Sequence, residues 1–280
     1  MNDKKPEKIE EKPEKEEKEV KFFKTPQVVP VVEEENTIDL PSIHPNMIQP
    51  FSLLLGIGAV RSGKSVLVNN ILLRSREDGF LDAQSYFDNT IIVSNTIGND
   101  PTCRFLKKAF EVHDHYEDGI ITGIVEKQKS YGEKKNMPYI SLILDDILGS
   151  NMKRNNEVSF LATRYRHHNI GLMGIFTQNF KSVDTILRNN ATDIIIFKQT
   201  NNKQLLQIAE EFSPFCGNIK NFLKIYSIAT AGKYNFLYLK VQEGKALRNF
   251  EQVLFEDDKF VVSGDNIEID DDIMKMADSL

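Results

Sequence analysis

Residues Gly58-Ala59-Val60-Arg61-Ser62-Gly63-Lys64-Ser65 spell G-x-x-x-x-G-K-S. These types at this spacing suit one chemistry, the grip on a polyphosphate. The glycines let backbone N–H groups close around the phosphates at a helix N-terminus, where the helix dipole also favours an anion. The Lys64 ammonium then reaches the β- and γ-oxygens, and the Ser65 hydroxyl becomes a ligand for Mg²⁺. The pattern predicts that a nucleoside triphosphate is bound by all eight residues, Gly58 through Ser65.

A second constellation lies downstream. Ile140–Leu144 is an apolar run ending in Asp145-Asp146. One carboxylate at the end of such a strand can reach the Mg²⁺ shell, which assigns Asp145 as a metal ligand beside Ser65. The next, Asp146, is placed to polarise an attacking water as general base. Gln178 follows another apolar run, Gly171–Thr177, and would sense the γ-phosphate or orient the water. Arg164 and Arg166, two apart and just before that run, suit an arginine finger offered to a neighbouring subunit's γ-phosphate. His167 and His168 have no metal-ligand spacing.

These groups need a scaffold that brings them together, and the chain alternates strand-like and helical segments accordingly. Pro50–Ile57 reads as a strand leading into the glycine-rich loop, and Ser65–Arg74 as the helix leading out. Thr90–Asn95 reads as a second strand, followed by helical segments at 105–112 and 121–129. Tyr139–Leu144, Gly171–Gln178 and Ala191–Lys198 read as further strands. Asn156–Arg166 and Lys203–Phe212 read as helices, and Tyr234–Val241 as a late strand at the sheet edge. The expected fold is α/β, a RecA-like P-loop ATPase of the additional-strand class, with a mostly parallel sheet flanked by helices. In that class one strand separates the two signature strands, and Thr90–Asn95 is the candidate for it.

Composition narrows the rest. The chain has 280 residues, 40% of them hydrophobic, enough for a well-buried core. Its net charge of −6 is uneven. Residues 1–35 carry 8 Lys against 11 Asp and Glu, and residues 256–280 carry 2 Lys against 9. Acidity therefore sits in the tails, and residues 36–255 are mildly basic, which permits a nucleic-acid partner. The expected organisation is a disordered charged tail (1–35), an ATPase domain (36–255) and an acidic tail (256–280). Cys103 and Cys216 read as buried thiols, and no apolar run is long enough for a membrane span.

Taken together, several segments resemble the poxvirus-type genome-packaging ATPases of nucleocytoplasmic large DNA viruses, within the FtsK–HerA superfamily. They are His44-Pro-Asn-Met, Pro50-Phe-Ser, Gly58 to Ser65, Leu142 to Asp146, Thr163 to Ile170, Phe176-Thr-Gln178 and Arg188 to Ile194. The resemblance runs from about His44 to about Tyr238. It implies a ring of subunits that hydrolyses ATP with Mg²⁺ and drives double-stranded DNA into a preformed capsid. It also implies Lys64 on phosphate, Asp145 on Mg²⁺, Asp146 as base, Gln178 as sensor and an Arg164/Arg166 finger. Capsid portal or vertex proteins would be partners, and the host cytoplasm at the viral assembly site, or the virion, the location. Two positions depart from the family pattern: Arg61 inside the loop, and Asp146 where Glu is commoner. Lys153 and Arg154 are the candidates for gripping DNA.

Other readings differ in class. A DNA motor or helicase of the same superfamily outside packaging shares the chemistry. A GTPase switch would use Asp146-Ile-Leu-Gly149 and Asn202-Lys203-Gln-Leu205, but Leu205 stands where a guanine-reading Asp is required. A scaffolding protein with a vestigial site would need a broken loop, and none is broken.

Overall fold

Both faces of a parallel strand are covered by helices, so such strands are apolar on consecutive residues, as Leu53-Leu54-Leu55 are. A computed structural model describes residues 43–74, 86–97, 103, 105–147, 156–261, 272 and 275. Among these, ten strands form one sheet. They are β1 (Ser52–Ile57), β2 (Asn89–Ser94), β3 (Glu111–His113), β4 (Ile140–Asp145), β5 (Ile170–Thr177), β6 (Asp193–Phe197), β7 (Phe236–Lys240), β8 (Lys245–Arg248), β9 (Gln252–Glu256) and β10 (Lys259–Phe260). Their order is β10-β9-β8-β7-β6-β1-β5-β4-β2-β3. The run from β6 to β3 is parallel throughout, and β7 to β10 add antiparallel neighbours.

The helices are α1 (Lys64–Leu73), α2 (Leu106–Ala109), α3 (Ile120–Ser130), α4 (Asn156–Ala162), α5 (Thr185–Asn190), α6 (Asn202–Phe212) and α7 (Ile219–Ala229). Side-chain alternation along the strands sorts the core into two layers. Leu53, Leu55 and Ile57 of β1 face the layer filled by α3 to α7. Leu54 faces the other, which holds Leu67, Val68, Ile71 and Leu72 of α1.

The additional-strand topology is present, but the inserted strand is β5, not Thr90–Asn95. β5 lies between β1 and β4, and β2 pairs on the far side of β4. Spatial order need not follow chain order once helical crossovers join parallel strands. Two other expectations change. The segment 105–112 is not one helix: the chain extends at Phe110, and Glu111–His113 pairs with β2 as an edge strand. The late strand is interior, because β8, β9 and β10 continue the sheet beyond it, past residue 255. Helix α7 has no counterpart in the sequence reading.

Register explains one glycine. Gly56 of β1 stands opposite Phe176 of β5, and a Cβ on Gly56 would meet the Phe176 ring at 2.3 Å. Phe176 is fully buried and has no room to turn away. Gly56→Ala is therefore expected to cost about 2 kcal/mol by overpacking, read as a lower urea midpoint with an unchanged m-value. An unchanged midpoint would mean that the ring is not held against the β1 backbone.

Candidate active site

Parallel strands end together, so residues just past their C-termini share one edge. Ile57 is in register with Thr177, and Asp145 with both Phe176 and Ser94. The glycine-rich loop, Asp145-Asp146 and Gln178 therefore emerge side by side. The loop strand and the acidic strand are about 10 Å apart, two strand spacings.

The loop has the backbone its sequence requires. Gly63 sits at φ 111 immediately before α1, in the left-handed region that glycine enters without steric cost. Arg61 is also left-handed, at φ 62. No side chain caps the first turn of α1, so its N–H groups, which have no intrahelical acceptor, are left for a ligand. Ser62 Oγ is buried and has no hydrogen-bond partner among the described residues. An anion cradle leaves groups of this kind unsatisfied.

Lys64 lies over the loop, its Nζ donating to Gly58 O at 2.7 Å and to Ala59 O at 3.1 Å. It is 8% exposed, and burial pushes its pKa down, while the charges of Asp146 and Asp145 oppose the shift. Asp145 Oδ2 accepts from Ser94 Oγ at 3.0 Å and Thr96 Oγ1 at 3.4 Å. Its carboxyl is pushed up to about 6, first by burial and then by the neighbouring charge of Asp146. A buried carboxylate with a second one beside it gains most from a cation. Ser65 and Asp145 supply hard oxygen donors that fit Mg²⁺, which takes few protein ligands and completes its shell with phosphate and water. No cluster of three or more His, Cys, Asp or Glu that could hold a metal occurs among the described residues.

Asp146 is held at φ 49. Its N–H donates to Phe176 O at 3.0 Å, and its carbonyl accepts from Asn95 Nδ2 at 3.1 Å. Its Oδ2 accepts from Gln178 Nε2 at 2.7 Å. The two residues assigned to the attacking water are thus already paired.

Several partners were not anticipated from sequence. Ser94 ends β2 and Asn95 and Thr96 follow it, and only the neighbouring of β2 and β4 brings them to the carboxylates. Gln204, in the first turn of α6, donates from Nε2 to Gln178 O at 3.2 Å and to Gln199 Oε1 at 2.6 Å. Its Oε1 accepts from the Phe180 N–H at 3.3 Å. Gln199 in turn donates to Phe197 O at 2.8 Å and to Ile57 O at 3.4 Å. A chain of amides thus joins the residue before Gly58 to the segment that carries Gln178. The signal was present in Asn202-Lys203-Gln204-Leu205, read above for guanine recognition. Here Asn201 caps α6 through Lys203 and Gln204, while Leu205 is buried in the core.

Arg164 and Arg166 are not in this site. They precede β5, at the opposite edge of the sheet from Gln178, about 26 Å away along an eight-residue strand. Both are exposed. The Arg164 guanidinium lies 4.2 Å from the Phe160 ring centroid, and Arg166 Nε donates to Tyr165 Oη at 3.0 Å. Tyr165 Oη donates in turn to Phe51 O at 2.7 Å. Neither arginine can serve the phosphate loop of its own chain. Gly149, Lys153 and Arg154 lie outside the described residues, as do residues 1–42. Cys103 and Cys216 are buried thiols in no disulfide, as expected.

No protein-family model matches the chain, and no curated protein does. Solved structures do. The chain is similar to the genome-packaging NTPase B204 of Sulfolobus turreted icosahedral virus 2, in complex with AMP, at 19% identity and a TM-score of 0.51. That match covers 70% of this chain and 95% of the other. It is similar also to B204, the DNA-packaging ATPase of Sulfolobus turreted icosahedral virus, again at 19% identity and a TM-score of 0.51, over 70% of this chain and 96% of that one. The fold is thus that of these P-loop ATPases, over nearly their whole length.

Proposed function

We propose that this chain is a Mg²⁺-dependent ATPase that acts in a ring and drives double-stranded DNA into a viral capsid. The observation that carries the reading is the meeting of the phosphate loop, Asp145-Asp146 and Gln178 at one sheet edge, across an inserted strand. The likeness to two packaging enzymes, covering almost all of each, supports the choice of packaging among DNA motors. A motor of the same superfamily outside packaging shares every residue named here and is the alternative. The GTPase reading has lost its guanine-reading element to the α6 cap and the core.

The chain's own groups divide the work. The N–H groups of Gly58 to Ser65 and the α1 dipole hold the phosphates. Lys64 exchanges the carbonyls of Gly58 and Ala59 for phosphate oxygens. Asp146 takes a proton from the attacking water, while Gln178, bonded to Asp146 through its Nε2, keeps its Oε1 free to orient that water. Ser65 and Asp145 would hold Mg²⁺, which would supply neutralisation of phosphate charge. The exposed Arg164 and Arg166, remote from their own site, are available as fingers to the neighbouring subunit. Lys153 and Arg154 are proposed to grip DNA phosphates, which gives sequence-independent, salt-sensitive affinity. The proposed organisation is an ATPase domain that opens near residue 36 and extends through β10, past residue 255, between charged tails, with portal or vertex proteins as partners at the host-cell assembly site.

The test is steady-state ATP hydrolysis by purified protein with and without double-stranded DNA. Turnover is expected to rise several-fold with DNA, and the rise is expected to fade between about 50 and 200 mM salt as phosphate contacts are screened. ATP turnover indifferent to DNA at low salt would sink the motor reading.

A further inference from the structure

Beside the phosphate loop a groove of about 830 Å³ runs along α1, with Gly63, Val66 and Leu67 on one wall and Tyr234, Phe236 and Phe250 among the residues of the other. Nothing in the mechanism above uses it. Its size falls in the range of small-molecule sites. Its mouth is apolar where it meets the loop: Val66 is 54% exposed and Tyr234 58%. Large side chains left in water at the rim of a site, rather than scattered, mark a binding surface.

Tyr234 is the informative residue. It occupies φ +67, a left-handed conformation that a bulky aromatic rarely adopts. Hydrogen bonds tie the loop on both sides of it. Arg248 Nη2 donates to Ala231 O at 2.9 Å, Asn235 Nδ2 donates to the same carbonyl, and Asn249 Nδ2 donates to Asn235 Oδ1 at 3.1 Å. Strain of this kind persists only where neighbours over-determine it, and it concentrates at ligand sites. The ring is held close to Gly63, where a Cβ would come within 3.5 Å of Tyr234 Cδ1. Lys233 Nζ lies 4.8 Å from the ring centroid. Behind it, Phe236 packs edge-on to Phe250 at 5.3 Å, a rigid apolar floor.

We propose that this groove is the nucleobase subsite, with the base stacked on the Tyr234 ring. The inference rests on the nucleotide reading of the phosphate loop. Stacking of a base on an aromatic side chain contributes binding through the face of the base, and an aromatic held in place beforehand loses little entropy when it binds. The polyphosphate then spans from Gly63 into the loop, and the base lies back along α1 over Val66.

The experiment is equilibrium titration of ATP and of inorganic tripolyphosphate, which has no base, in Mg²⁺ buffer. Tyr234→Gly suits the left-handed backbone, so the variant removes the ring without adding strain. Tyr234→Gly is expected to weaken ATP binding roughly 10-fold or more while tripolyphosphate binding stays within about twofold. Tyr234→Phe keeps the stack and should bind ATP like the parent. Equal effects of Tyr234→Gly on both ligands, or none on ATP, would overturn the subsite. Lys64→Ala is expected to weaken both ligands, and tripolyphosphate binding that survives it unchanged would overturn the phosphate-loop reading itself.

Discussion

Asp146→Asn is expected to lower ATP turnover by about 10²–10⁴-fold while ATP affinity stays within about threefold. Asp146, the proposed base, lies past the end of β4, paired through Oδ2 with Gln178 Nε2 at 2.7 Å. Its backbone is anchored on two sides, by Phe176 O and by Asn95 Nδ2. Asparagine enters the left-handed region more readily than most residues, so the φ of 49 survives the change. The amide can still accept from Gln178 but cannot take a proton from water. Binding is left to the loop, which the substitution does not touch. Single-turnover hydrolysis beside an equilibrium titration separates the two effects. Turnover within threefold of the parent would mean that the proton goes elsewhere, and the assignment of Asp146 as base would fall.

The adjacent carboxylate should show itself in stability as well as in turnover. In nucleotide-free, Mg²⁺-free protein, Asp145→Asn is expected to raise stability at pH 8 by up to about 3 kcal/mol while abolishing efficient turnover. Burial and the Asp146 charge raise the Asp145 pKa from 3.8 to about 6 in the folded state. Between those two values the folded chain holds a proton that the unfolded chain has released, so wild-type stability falls as pH rises through the window. Above about pH 6 the full cost of the buried charge is present, and below 3.8 none of it is. Asparagine is neutral throughout and retains an acceptor for Ser94 Oγ. Its advantage should therefore be full at pH 8, about half at pH 5 and close to nil below pH 4. Urea midpoints at the three pH values read this directly. A variant no more stable than the parent at pH 8 would show that the ionised Asp145 is not electrostatically strained.

The two predictions draw on different kinds of information. That Gly58 to Ser65 form a glycine-rich turn between a strand and a helix was readable from spacing, because the loop, its strand and its helix are continuous in the chain. Local geometry is then enough: β1 and α1 lie within a residue or two of the expected limits, and Gly63 takes the left-handed φ that the pattern requires. Asp145, Asp146 and Gln178 were likewise legible as polar residues just past apolar runs, since parallel strands deliver their C-terminal residues to one edge.

What spacing could not supply was the order of the strands. Crossovers through helices leave many orders open, and the strand beside β1 proved to be β5, with Thr90–Asn95 displaced beyond β4. That order decides which polar groups meet. It sets Ser94 and Thr96 on Asp145 and joins Gln178 to Asp146. Gln204 reaches the sensor segment only because α6 packs on the same face as that segment. Tyr234 is the sharpest case. As part of an apolar run it read as the first residue of a strand. Its left-handed backbone lies in a loop tied by hydrogen bonds from Arg248 and Asn235 to Ala231 O and from Asn249 to Asn235, partners up to 17 apart in the chain. The sequence by itself determined the local shape of the proposed phosphate loop, because that shape is held in eight consecutive residues between β1 and α1. Everything that depends on residues far apart in the chain was decided by the tertiary structure, because pairing and packing alone set those distances.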